Sequence, residues 1–277
     1  MTSGTHTELA GRIADCFKEI PDVMAITLGG SSANHTLDSL SDIDLYIYSE
    51  SIVPLEKRKK LIEKLGYSKA NFNLTFWDTG DEWFDIQTGI EIDVMYWAPK
   101  WIEDQIDKVL IRCEANLGYT TCFWRTVKNS HILFDRSGWF TELQKKSHAP
   151  YPSKLKKAII KKNHPVLRTV IPSYFEQIKK AIARDDLLSI SHRLAALFAS
   201  YFDILFAVNE VLNPGEKRVL QFALDECRLL PDNSEKTISQ ILIKAGSEYR
   251  QLPELLTNLL NALDFLLQRE SLLPAIS

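Results

Sequence analysis

The sequence predicts an α+β fold: an α/β-looking N-terminal domain with a small mixed sheet, followed by an all-α helical bundle. Two observations predict it. From residue 1 to about 150, segments of helical apolar spacing alternate with segments of period-2 spacing, whereas after Pro152 the spacing is helical almost throughout. With 277 residues the chain can bury two modest cores. The expected domains are therefore 1–150, including a bridging stretch, and 151–277.

The elements follow in order. Leu9, Ile13, Phe17 and Ile20 recur at helical spacing, and Pro21 ends that helix. VMAITLGG reads as a buried strand entering a glycine turn. In DIDLYIY, Ile43, Leu45 and Ile47 alternate with Asp42, Asp44, Tyr46 and Tyr48, the period of a strand with one buried face. PLEKRKKLIEKLG is a short helix stopped by Gly66. NLTFW and IEIDVMYW supply two more strands, and Ile102, Ile106, Val109 and Leu110 mark a further helix. Residues 111–150 are less periodic and read as the bridge, with FDRSGW as a turn. Beyond Pro152, Leu194, Leu197, Phe198, Tyr201, Phe202 and Leu205 define a strongly apolar helix, broken at NPGE and followed by helices near 217–228, 234–249 and 253–270.

Composition narrows the function classes. Hydrophobic residues make up 45% and charged residues 25%, ordinary for a globular chain, and the net charge of −3 argues against a dedicated nucleic-acid binder. A local basic groove stays open. Cys16, Cys113, Cys122 and Cys227 form no CxxC pair, so neither a zinc site nor a disulfide framework is expected. No basic-then-apolar leader opens the sequence and charges interrupt the apolar runs, so the expected setting is the cytoplasm, away from membranes. The oligomeric state is not legible.

The chemistry-bearing segment is LGGSSANHTLDSLSDIDLYIY. Side chains alternate along a strand, so Asp42 and Asp44 project from one face while Ile43 and Leu45 point into the core. Paired carboxylates suit a hard divalent cation such as magnesium, and manganese fits the same ligands. Gly29 and Gly30 let backbone approach a phosphate, and Ser31 and Ser32 offer hydroxyl and N–H donors. In GIEIDVMYW, Glu91, Asp93 and Met95 share a face, and a pairing of this strand with DIDLYIY brings Asp93 to the acidic pair. Such a cluster suits two ions that clamp the attacking and leaving oxygens of an in-line displacement at phosphorus, with Asp93 as ligand and general base and Glu91 as rival base.

This GGS…DID…IEIDV arrangement, over residues 20–100, resembles the nucleotidyltransferase superfamily with the polymerase-beta-like fold. With the helical half it resembles the bacterial aminoglycoside and lincosamide nucleotidyltransferases, and more closely the bacterial proteins with a nucleotidyltransferase domain of the DUF4037 type. The resemblance implies that Gly30 and Ser31 grip a triphosphate, that Asp42 and Asp44 hold magnesium, and that Asp93 is the third acid. Family members usually carry one Gly-Ser pair, and GGSS is compatible with it. The implied reaction moves a nucleoside monophosphate, with ATP as the expected donor among nucleoside triphosphates, to a small hydroxylated acceptor, antibiotics included, and releases pyrophosphate.

Other residues are weighed against plainer roles. Arg193, Lys217 and Arg218 suit triphosphate oxygens; Lys217 and Arg218 open a helix, where cations oppose the helix dipole, and use or chance explains them equally. Trp77, Asp78, Trp83, Tyr119 and Trp124 suit an acceptor pocket, but core packing is the better role for most. His35 reads as a loop histidine, and Asp38, Ser39 and Ser41 as turn formers. In KLKKAIIKK the apolar residues sit at helical spacing, so its lysines form a solvated face. Two further functions compete: adenylylation of a protein or a tRNA end, and a non-catalytic nucleotide-binding or toxin–antitoxin partner module.

Overall fold

The computed structural model describes residues 3–29, 42–76 and 78–273. The chain divides into two compact units, residues 1–107 with 123–149, and residues 108–122 with 150–277. The second half of the expected bridge thus belongs to the sheet-bearing unit, whereas residues 108–122 join the helical one.

The first unit is a six-stranded sheet with helices. In chain order it holds α1 (Ser3–Phe17), β1 (Val23–Leu28), β2 (Ile43–Ser49), α2 (Leu55–Leu65), β3 (Tyr67–Leu74), β4 (Gly80–Asp85), β5 (Glu91–Trp97), α3 (Pro99–Leu110), α4 (Cys122–Asn129), β6 (His131–Asp135) and α5 (Trp139–Lys146). The strand order is β3-β4-β5-β2-β1-β6. Among the described residues only β2 and β5 pair in parallel, and the other neighbours are antiparallel. The sheet is mixed, as expected, but larger than expected. NLTFW is not one strand: β3 ends at Leu74 and β4 starts at Gly80. The stretch read as bridge contributes α4, β6 and α5.

Its two faces are covered differently. On one, Ile43, Leu45, Ile47, Ile92 and Val94 of the sheet meet Leu9, Ile13 and Phe17 of α1 and Ile62 of α2, all buried. On the other lies an aromatic layer. Tyr46 and Trp97 stack with centroids 4.5 Å apart and planes 14° apart, Tyr48 meets Phe140 at 5.0 Å, and Trp101 meets Trp97 at 5.1 Å and Phe123 at 5.0 Å.

The second unit carries α6 (Ser153–Arg168), α7 (Tyr174–Ile182), α8 (Leu187–Asn209), α9 (Val219–Glu226), α10 (Ser234–Lys244) and α11 (Leu252–Arg269). Its core joins Leu197, Tyr201, Ile204 and Leu205 of α8 to Leu256, Leu259, Leu260 and Leu263 of α11. Ser173 caps α7 by accepting from the Glu176 N–H at 3.3 Å, and Asp186 caps α8 by accepting from the Ser189 N–H at 3.0 Å. By length and composition α8 could cross a membrane, contrary to the reading that no segment would; its apolar residues are largely buried within the unit, as in a core helix.

Candidate active site

The sheet register sets out the acids. Asp44 on β2 is the direct partner of Asp93 on β5, and Glu82 on β4 is the direct partner of Asp93 from the other side. Register partners project from the same face, so Glu82, Asp93 and Asp44 form a row across three adjacent strands, each step about 4.8 Å. The row continues to Gly29, whose N–H donates to the Asp44 carbonyl at 2.9 Å. Because β1 runs antiparallel to β2, its C-terminal end lies beside the start of β2. Gly29 and Asp42 therefore both lie next to Asp44.

Gly30, Ser31, Ser32, His35, Asp38, Ser39, Ser41 and Trp77 lie outside the described residues. Asp42 immediately precedes β2, and its charge is felt at Asp93 and Tyr46. Burial, and then the carboxylates of Asp44, Glu82, Asp42 and Glu91, push the Asp93 carboxyl up to about 6. Burial and then Asp44, Asp93 and Asp42 raise the Tyr46 hydroxyl above its ordinary range. Among the described residues no lysine or arginine pairs with Asp93, Glu82 or Glu91. Oxygen ligands in a row, with Asp93 and Glu82 unpaired by any lysine or arginine among the described residues, are the donor set a hard cation requires. Among the described residues no three His, Cys, Asp or Glu side chains are arranged to hold an ion as they stand. That arrangement is compatible with magnesium, which takes one or two carboxylates and completes its shell from water and substrate phosphates.

Sequence reasoning missed Glu82. The available signal was its place in a short strand before IEIDV, but that strand reverses the usual polarity: Asp81, Trp83 and Asp85 are buried, and Glu82 and Phe84 face the acidic side. Glu91, the rival base, is exposed at the start of β5 and is the last of the four carboxylates in its effect on Asp93.

Gly29 is required by close approach. A Cβ there would sit 2.3 Å from Cε2 of Tyr46, whose ring is pinned from its other side by the stack on Trp97. Gly29→Ala is therefore expected to cost about 1–3 kcal/mol of stability through overpacking, read by chemical denaturation, and to raise KM for the nucleotide.

Of the remaining sequence candidates, Trp83 and Trp124 are buried core residues, and the Trp124 indole donates to the Ser147 carbonyl at 2.7 Å. Asp78 accepts from the Trp97 indole at 3.0 Å and so braces the aromatic layer. Tyr119, Arg193, Lys217 and Arg218 are exposed residues of the helical unit, and Arg218 takes the left-handed conformation at the start of α9.

Residues 11–112 match the nucleotidyltransferase domain family. No curated protein matches the chain. Among solved structures, the chain is similar to a nucleotidyltransferase-like protein from Exiguobacterium sibiricum, at 13% identity and a TM-score of 0.45, covering 92% of this chain and 72% of that one. It is also similar to the Thermotoga maritima CCA-adding enzyme complexed with tRNA, at 12% identity and a TM-score of 0.32, covering 95% and 82%. A third likeness is to a STING-associated CdnE c-di-GMP synthase from Capnocytophaga granulosa, at 14% identity and a TM-score of 0.32, covering 98% and 82%. Residues 11–112 of this chain thus match a nucleotidyltransferase domain.

Proposed function

We propose that the protein transfers a nucleoside monophosphate, AMP from ATP, to a hydroxyl of a small molecule and releases pyrophosphate. The observation that carries this reading is the ordered row Gly29–Asp44–Asp93–Glu82 on one face of the sheet. The glycine end belongs to the triphosphate, for which Gly30, Ser31 and Ser32 are the donors expected from the sequence. Asp42, Asp44 and Asp93 would hold magnesium, or manganese, which when bound supplies charge neutralisation at the phosphates. Glu82, farthest from Gly29, is the carboxylate on the acceptor side. The acceptor oxygen forms its bond to the α-phosphorus as the bond to the bridging oxygen of the leaving pyrophosphate breaks, and the hydroxyl proton passes to Glu82. The sequence expectation for Arg193, Lys217 and Arg218 is tested separately, by the KM for ATP of each glutamine variant.

The test incubates the protein with labelled ATP, magnesium and a panel of aminoglycosides, lincosamides and sugar alcohols, and follows pyrophosphate. Acceptor-dependent release that disappears in Asp44→Asn is the expected result. Glu82→Gln is expected to lower kcat by about 10²–10⁴-fold while leaving the affinity for ATP unchanged, the mark of a lost proton acceptor. Label passing to a co-purifying protein or RNA instead would replace the small-molecule acceptor, and tight ATP binding without turnover against any acceptor would sink the catalytic reading.

A further inference from the structure

The helical unit contains a site that the acidic row does not explain. It is an open groove of about 600 Å³ lined by Lys108, Lys161, Lys162, Cys113, Asn116 and Glu114, together with two alanines. Three lysines and one glutamate thus line it, and Glu114 is already paired with Arg112 at 3.3 Å. Among the described residues Lys161 is exposed and has no carboxylate partner.

The wall is built in advance of any ligand. Lys162 donates to the Ala115 carbonyl at 2.7 Å and Lys108 to the Asn116 side chain at 2.8 Å, each using one of three ammonium hydrogens. The segment itself is tied down: Asn163 donates to the Asn116 carbonyl at 2.9 Å and accepts from the Gly118 N–H at 2.9 Å. Cys113, within the lining, is held in the left-handed region at φ 53°, a strain that persists only where the surroundings over-determine the backbone. Along α6, Lys154, Lys157 and Lys161 recur at spacings of three and four and so share one positive helix face, all three exposed and without carboxylate partners among the described residues.

We propose that this groove is a second anion site, separate from the acidic row, that takes a phosphate group. Lysine is a point-charge binder of phosphate, and preset ammonium groups lose little freedom when the anion arrives. A small phosphorylated molecule and a nucleic-acid backbone both present that chemistry, and the experiment separates them. The full-length protein is titrated in EDTA at low salt, which removes magnesium–nucleotide binding, with inorganic tripolyphosphate by calorimetry and with a short single-stranded RNA by fluorescence anisotropy. Binding of at least one probe is expected, weakened about fivefold in Lys161→Gln and unchanged in Lys236→Gln, an exposed lysine on α10. Tripolyphosphate binding alone assigns a small phosphorylated ligand. RNA binding alone, with a salt slope reduced by about 1 in Lys161→Gln, assigns a nucleic-acid backbone. Saturating probe also slows alkylation of Cys113, read by mass spectrometry. Absence of binding by both probes, equal affinities in Lys161→Gln and Lys236→Gln, or an unprotected Cys113 overturns the proposal.

Discussion

Asp93→Asn is expected to remove nucleotide transfer and, in the same protein, to raise the stability of the metal-free chain. The loss follows from charge. Asparagine keeps the shape of the side chain and its place opposite Asp44 but supplies no negative charge to a cation; that contribution is worth several kcal/mol in a transition state, so kcat falls about a thousandfold. The gain follows from the same crowding of carboxylates. Burial and four neighbouring acids raise the Asp93 carboxyl from 3.8 to about 6, so the folded protein holds this proton more tightly than the unfolded chain. The resulting destabilisation is absent below about pH 4, grows as pH rises between the two values, and is complete above about 6. Since part of the carboxylate faces water, screening discounts the full shift to roughly 1–2 kcal/mol at neutral pH. Thermal unfolding in EDTA at pH 5 and pH 7.5 checks it: the variant's advantage is larger at pH 7.5. A variant that melts below the native protein at pH 7.5, or that keeps transfer within tenfold, would remove Asp93 from the centre of the site.

Such opposed effects explain which parts of the site were legible in the sequence. In β2 and β5 the rule of apolar residues inward and polar residues outward holds, so Ile43, Leu45, Ile92 and Val94 could be assigned to the core and Asp44 and Asp93 to the opposite face from spacing alone. Their pairing was an assumption, and the parallel register supplies it. In β4 the rule inverts. Asp81 and Asp85 point inward, Asp81 to Arg58 and Asp85 to the N–H and hydroxyl of Thr88, both at 2.8 Å, so no apolar period marks the strand and Glu82 could not be placed. The unit boundary was hidden for a related reason. Residues 108–122 are held by polar contacts far along the chain: Thr120 donates through its N–H and hydroxyl to buried Asp203 at 3.0 and 2.6 Å, and the Asn213 N–H donates to Thr121 at 2.8 Å. Helices α4 and α5, at eight residues each, are too short for their period to stand out against the surrounding aromatics.

The inverted strand carries the second large expected effect. Arg58 is 2% exposed and Asp81 0%. Arg58 donates to Asp81 Oδ1 at 2.7 Å, to the Val53 carbonyl at 3.1 Å and to Asn73 Oδ1 at 3.0 Å, with its guanidinium 4.7 Å from the centre of the Tyr96 ring. Asp81 also accepts from the Tyr96 hydroxyl at 2.8 Å and from the Asn73 N–H at 2.8 Å, where the backbone is left-handed at φ 56°. One buried ion pair thus joins α2, the β3–β4 hairpin and β5. Removing either partner strands a buried charge, so Arg58→Met and Asp81→Asn are each expected to cost about 3–5 kcal/mol in denaturant unfolding, whereas the double variant Arg58→Met/Asp81→Leu recovers much of that loss because no charge is then left unpaired. The consequence reaches the acidic face because Asp81 and Glu82 are neighbours on one strand. With Asp81 anchored on the helix side, Glu82 must face Asp93; a loosened β4 lets that register slip and turns Glu82 away. The Asp81→Asn protein is therefore expected to lose transfer at temperatures where it is still folded, and a folded variant with native kcat would show that the pair serves stability alone.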